Sequence, residues 1–228
     1  MIKVKKYRVL FIGNSYTYFN DMPKAIFEVI AKEAGVDAEV ESVVKGGWTL
    51  ERHADPEGET GALVAQKLAG EPYDYVILQE QSLYPATEPD RFMSAVRDLV
   101  SRIKATGAKP VLYSTWGRKT GSTKLADINM TNESMTYAVA RSYRDIGAEL
   151  GIPVAHVGLA FYDIGDRIEL YDPDKTHPSR EGSYLAALCL FIRIFGDREQ
   201  FVTCDIPEET ALLLQNAARK AVLDTPTF

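Results

Sequence analysis

The chain has 228 residues, 46% of them hydrophobic, with 26 Lys and Arg against 32 Asp and Glu for a formal net charge of −6. This is enough to bury a sizeable core, and residues 1–228 are expected to form one domain. The acidic balance, with no block of clustered Lys and Arg, argues against nucleic acid as a partner, because phosphate binding needs concentrated positive charge.

The stretch Met1-Ile2-Lys3-Val4-Lys5-Lys6-Tyr7 leads straight into an apolar run at 9–12 that is too short for a signal-peptide core or a membrane span, so no targeting segment is read. Residues 8–12 are predicted as a buried first strand. Asn20-Asp21-Met22-Pro23 looks like a helix start, with Gly35 its stop. Residues 38–44 alternate as a second strand, and the apolar run 75–78 is a third. Phe92, Val96, Leu99, Val100 and Ile103 share one helical face, ended by Gly107. Residues 110–113 form a fourth strand. The segment 116–132, rich in Gly, Thr, Ser and Lys, is the longest irregular stretch, of the kind that is usually functional or mobile. Met135, Val139, Tyr143, Ile146 and Leu150 make another stripe, stopped by Gly151. A fifth strand follows at 153–157, then helices near 179–195 and 208–223. This alternation predicts an α/β fold, a parallel sheet with helices on both faces and right-handed crossovers, that is, a three-layer α/β/α sandwich.

Cys189 and Cys204 lie among apolar neighbours and read as free thiols in a reducing cytoplasm, although the two could pair. The three histidines and two cysteines show no metal-ligand spacing, so neither metal nor cofactor is expected. His156, inside an apolar strand, reads as a core residue, and His53, in a polar stretch, as a solvated one.

Ligands of such sheets bind beyond the carboxyl ends of the strands. There the chain places Gly13-Asn14-Ser15, Lys45-Gly46-Gly47-Trp48-Thr49, Gln79-Glu80-Gln81-Ser82, Ser114-Thr115-Trp116 and, further on, Asp172-Pro173-Asp174-Lys175-Thr176-His177. A serine hydroxyl needs a base to take its proton, a carboxylate to hold that base in the right tautomer, and donors for the oxygen that becomes negative. Ser15, His177, Asp174 and the Gly46 amide supply these parts. Ser15 has a blander reading as a helix cap, but Asn20 and Asp21 offer caps further on. Asp172 and Asp174 both suit a turn.

The same residues resemble the SGNH hydrolases, the GDSL-like esterase and lipase group. Gly13-Asn14-Ser15 sits where that family has Gly-Asp-Ser, Asp174-Lys175-Thr176-His177 matches its Asp-x-x-His, and Gly46 matches its glycine after strand two. The resemblance implies strand order 2-1-3-4-5, a Ser15-His177-Asp174 triad, and an oxyanion hole formed by Ser15, Gly46 and a third donor. The family's Gly-x-Asn-Asp is absent after strand three. Gln81 takes the Asn position by register, with Gln79 a close second, since a glutamine amide offers the same N–H donors. Glutamine near this point is similar to carbohydrate O-acetylesterases of the wider superfamily, which implies a small acyl group on a carbohydrate or other polar alcohol. Tyr16, Trp48 and Trp116 are expected either to line the pocket or to pack as ordinary aromatics.

Two other classes compete with a serine ester hydrolase. A nucleotide-binding protein would use residues 13–17 as an anion loop, but Gly-x-Gly-x-x-Gly and the Walker pattern are both absent. A non-catalytic carbohydrate-binding protein on the same fold is the other. The expected partner is a small-molecule ester. No basic amphipathic helix points to a membrane surface, and the oligomeric state is not legible.

Overall fold

A computed structural model describes residues 5–223; Met1 to Val4 of the opening stretch lie outside the described residues. The strands are β1 (Lys6–Gly13), β2 (Asp37–Val44), β3 (Tyr75–Leu78), β4 (Lys109–Ser114) and β5 (Val154–His156). They form one five-stranded parallel sheet in the order β2-β1-β3-β4-β5.

Alternation along each strand divides the core in two. Val9 and Phe11 of β1 face one way, with Val40, Ile77, Val111, Tyr113 and Ala155. Leu10 and Ile12 face the other way, with Val43, Val76, Leu78, Leu112 and Val154. Both faces are apolar on the same strand, so helices must cover both. Fully burying each of the Val, Leu, Ile and Phe side chains among them contributes about 1.5–3 kcal/mol.

Between β1 and β2 run α1 (Ser15–Tyr18), a 3-10 turn (Phe19–Asp21), a π-helical stretch (Met22–Phe27) and α2 (Glu28–Glu33). The predicted helix start at Asn20 is a kink, where Asn20 and Asp21 both take positive φ (55° and 49°). Two helices that the periodicity did not reveal, α3 (Leu50–Ala54) and α4 (Glu59–Ala69), cross from β2 to β3. Helix α4 buries only Thr60, Gly61 and Val64, too thin an apolar stripe to read. Next come α5 (Tyr84–Thr87), α6 (Pro89–Ala105) and, within the long irregular segment, α7 (Thr123–Asp127). Helix α8 (Asn132–Leu150) opens with a capping box between Thr131 and Ser134 and ends before Gly151. The fifth strand stops at His156, because Val157, expected as its last residue, already begins α9 (Val157–Ile164), whose nearly continuous apolar sequence shows no helical period. Helix α10 (Arg180–Phe195), capped by Ser179, and α11 (Glu208–Leu223) complete the first face with α2 and α9. No helix among the described residues is long and apolar enough to cross a membrane.

Candidate active site

Three strand ends are level. Gly13 pairs with Val44 across β1 and β2, and Ile12 pairs with Leu78 across β1 and β3. The loops that follow therefore meet at one edge. Gly13 is required there, since a Cβ would come within 2.6 Å of Thr17 Oγ1 and 2.7 Å of Gln79 Oε1. Asn14, not Ser15, caps α1: its Oδ1 accepts from the Tyr16 amide (3.1 Å), while its Nδ2 donates to the Trp48 carbonyl (2.9 Å). Its own amide donates to Gln79 Oε1 (2.9 Å), which also accepts from Thr17 Oγ1 (2.9 Å). Gln79 is thus fully buried beneath the Ser15 turn, and its amide nitrogen turns to the Glu80 carbonyl rather than to the cleft.

Ser15 is left with its hydroxyl unused by capping. The partner loop is tied across its base, where the Asp172 amide donates to the His177 carbonyl (2.8 Å) and the Ser179 amide to the Leu170 carbonyl (2.9 Å). Inside it, Asp174 Oδ1 accepts from the Thr176 and His177 amides, each at 2.9 Å. Asp174 Oδ2 lies 2.5 Å from His177 Nδ1, and His177 Nε2 lies 2.8 Å from Ser15 Oγ. A proton on Nδ1, held by the carboxylate, leaves the Nε2 lone pair to accept from the serine hydroxyl. Burial pushes the Asp174 carboxyl up, but the His177 amide, the His177 ring and the Thr176 amide outweigh it and hold the group below the usual carboxylate range.

Aromatic packing fixes the imidazole. Phe19 stacks on His177 at 4.1 Å between centroids, and Tyr16 meets it edge-on at 5.7 Å. Trp116 stacks between Tyr16 (4.7 Å) and Phe161 (4.1 Å), and its Nε1 donates to the Thr176 carbonyl at 3.1 Å. Trp116 is fully buried, so it supports the histidine loop and does not line the pocket. Trp48 is also outside the cleft wall, under Lys45 and Arg52 at 4.0 and 4.5 Å from its ring. Tyr16 does line the cleft.

The cleft has a volume of about 420 Å³, with Ser15, His177, Gly47, Gln81, Ser82 and Arg118 in its wall. Gly46 was expected there. Instead, the Lys45–Trp48 turn, closed by a 3.1 Å bond from the Trp48 amide to the Lys45 carbonyl, puts Gly47 (φ 69°) in the wall. A Cβ on Gly46 would face the Tyr18 hydroxyl. Gln81 Oε1 accepts from the Leu83 (2.7 Å) and Tyr84 (3.3 Å) amides, which fixes its side chain. Larger depressions exist, one of about 540 Å³ beside Asp55 and Arg102, but they hold no nucleophile against a base.

Two buried groups stand behind the cleft. Glu80, given no role by the sequence, is fully buried; its Oε1 accepts from the Leu50 (3.1 Å) and Gln81 (2.5 Å) amides. Burial pushes this carboxyl up to about 7. His53, expected in solvent, is fully buried because α3 turns it inward, and its Nε2 donates to the Gly13 carbonyl (2.9 Å). Burial pushes it down to about 4, as it does His156 in β5. Both thiols are unpaired and buried, Cys189 pushed up to about 12. No group of three or more His, Cys, Asp or Glu among the described residues is arranged to hold a metal ion.

No family model matches the chain, and no curated protein matches it. Solved structures do. A protein from Slackia heliotrinireducens, described as a candidate SGNH hydrolase, is 37% identical with a TM-score of 0.76, over 83% of this chain and 100% of that one. A DUF4886 family protein from Bacteroides uniformis matches at TM-score 0.81 and 20% identity, over 96% of this chain and 95% of that one. A variant of an acetyl xylan esterase from Geobacillus stearothermophilus matches at TM-score 0.63 and 16% identity, over 87% of this chain and 100% of that one. The last two are likenesses of fold.

Proposed function

Since the chain belongs to the SGNH hydrolase superfamily and is an ester hydrolase, we propose that it works through a Ser15-His177-Asp174 triad and removes a small, acetyl-like acyl group from a carbohydrate or other polar alcohol. The observation that carries this reading is the unbroken line of hydrogen bonds from Asp174 Oδ2 through both ring nitrogens of His177 to Ser15 Oγ. His177 Nε2 takes the hydroxyl proton as Ser15 Oγ attacks the ester carbonyl. The amides of Ser15 and Gly47 and the Gln81 side chain receive the developing oxyanion, each such donor contributing on the order of 10²–10³ in rate. Gly47 joins Gly46 as a candidate for this amide, because Gly47 is the glycine in the cleft wall. The protonated ring then delivers its proton to the leaving alcohol oxygen as the C–O bond breaks. Water, deprotonated by the same Nε2, attacks the acyl-serine; the acid leaves and Ser15 regains its proton. Asp174 keeps its charge throughout and stabilises the imidazolium.

The cleft volume of about 420 Å³ and the polar wall from Gln81, Ser82 and Arg118 favour a small acyl group and a hydrophilic alcohol over a long lipid chain. The test is labelling with a fluorophosphonate and mass spectrometry of the modified peptide, beside para-nitrophenyl acetate hydrolysis. The adduct is expected on Ser15 and is expected to disappear in His177→Ala. A folded protein with neither adduct nor turnover would rule the reading out.

A further inference from the structure

Arg118 is a cation in the cleft with no counterion among the described residues. It lies in the wall with Ser15 and His177, and no other Arg or Lys lines that cleft among the described residues. Its two terminal nitrogens donate to neutral hydroxyls, Thr176 Oγ1 at 2.6 Å and Ser82 Oγ at 3.1 Å. Its Nε is buried and has no partner among the described residues. The one carboxylate in the cleft wall, Asp174, is committed on both oxygens to the His177 loop. By contrast the adjacent Lys119 is paired with Glu169.

The side chain is presented from a fixed backbone. Asn132 Nδ2 donates to the carbonyls of Gly117 (3.1 Å) and Arg118 (2.9 Å), and Tyr171 Oη donates to the Gly117 carbonyl at 2.7 Å. Its two anchors are informative: Thr176 directly precedes the base His177, and Ser82 directly follows Gln81. The guanidinium therefore spans the two loops that flank the Ser15 hydroxyl. A half-buried guanidinium has lost part of its hydration, and hydroxyls return hydrogen bonds but no charge. With Nε–H buried and one N–H of each terminal nitrogen taken, one N–H remains on each of Nη1 and Nη2, a planar pair that matches the two oxygens of a carboxylate.

We infer that Arg118 is a specificity-determining residue that binds a carboxylate borne by the ester substrate, so that the preferred substrates of this cleft are anionic esters. The inference rests on the serine-esterase reading above and narrows its substrate class. The acyl part or the alcohol part could carry the carboxylate, and the chemistry at Arg118 is the same in either case. The scale of a charge-assisted hydrogen bond corresponds to roughly 10- to 100-fold in kcat/KM.

The experiment compares three esters: neutral para-nitrophenyl acetate, mono-para-nitrophenyl succinate with its carboxylate on the acyl side, and 4-acetoxybenzoate with its carboxylate on the alcohol side. Each kcat/KM is divided by the ester's own alkaline hydrolysis rate. At least one anionic ester is expected to exceed the neutral one by roughly tenfold or more. In Arg118→Gln that ratio should collapse towards one, and Arg118→Lys, which keeps the charge but not the fork, should restore part of it. The arm that responds identifies the side bearing the carboxylate. An unchanged ratio in both variants, or a proportional fall for all three esters, would overturn the inference and leave Arg118 as a tie between loops or an oxyanion donor. Fluorophosphonate labelling separates the two levels of failure. Labelled Ser15 with an unchanged ratio discards the anionic preference alone. A wild-type protein that neither labels nor turns over any ester discards the triad and this inference with it.

Discussion

Phe19 lies flat against the His177 imidazole, with 4.1 Å between centroids and 7° between planes. This contact restrains reorientation of the ring, and the π face would favour the imidazolium of the proposed reaction. Phe19→Ala is expected to lower kcat/KM for para-nitrophenyl acetate about 2- to 10-fold, the scale of one aromatic contact, with a native circular dichroism spectrum. An unaltered rate would show that the Asp174 bond alone orients the ring.

Asp174→Asn keeps the shape of the loop but exchanges a charged acceptor for an amide that can present N–H to Nδ1. The imidazole would then favour the tautomer with its proton on Nε2, where Ser15 needs an acceptor. A loss in kcat on the order of 10³–10⁴ is expected. Steady-state kinetics on the purified variant decides it; a loss below tenfold is incompatible with the proposed role.

The two glutamines should separate cleanly. Gln79→Leu strands the Asn14 amide and the Thr17 hydroxyl in a buried site. It is expected to destabilise the fold by roughly 2–6 kcal/mol, at about 1–3 kcal/mol for each of the two unpaired groups. Gln81→Ala is expected to cost 10²–10³ in kcat with a much smaller loss of stability. Urea denaturation and kinetics on both variants test the pair. The opposite pattern would return Gln79 to the oxyanion position.

Glu80 gives the protein a stability that depends on pH in an unusual direction. Its carboxyl is pushed up to about 7 in the fold from an ordinary value of 4.5. Between those values the folded state holds a proton that the unfolded state releases, so stability falls as pH rises from about 4.5 to about 7. Glu80→Gln removes that slope. Its amide oxygen can still accept from Leu50 and Gln81, because Oε1 receives the closer bond from each. At pH 8 the variant is expected to be more stable than wild type by on the order of 2–4 kcal/mol, and near parity at pH 5. Denaturation midpoints at both pH values check the sign. His53, pushed down to about 4, contributes the opposite slope: its stability is present above about 6.5 and is lost as pH falls through about 4.

Much of this was legible in the sequence because it depends on period and on strand ends. Runs such as Val9 to Ile12 can be buried only between two helical layers, and the residue after a parallel strand faces the ligand edge, which singles out Ser15. The three-residue spacing between Asp174 and His177 likewise constrains their loop. What depends on a single turn was not legible. Gly46 and Gly47 are adjacent in one tight turn, and the turn, with Gly47 at φ 69°, brings Gly47 into the cleft wall. Gln79 and Gln81 point to the same side of an extended chain, until the chain leaves the strand and Gln81 is turned by the Leu83 and Tyr84 amides. Arg118 carries no local motif at all; its place follows from Asn132, Thr176 and Ser82, all distant in sequence. His53 looked solvated because α3 is too short to show a period.

The proposed nucleophile and its base are 162 residues apart in the chain, while the base and its acid share one short loop. During synthesis Ser15 emerges early, and it has no partner until the loop carrying His177 has been made. That loop is in turn held by Trp116 from an earlier segment and by Asn20 through the carbonyls of Pro178 and Ser179. In the proposed triad, the site is therefore complete only once the last loop before α10 has joined the end of β1.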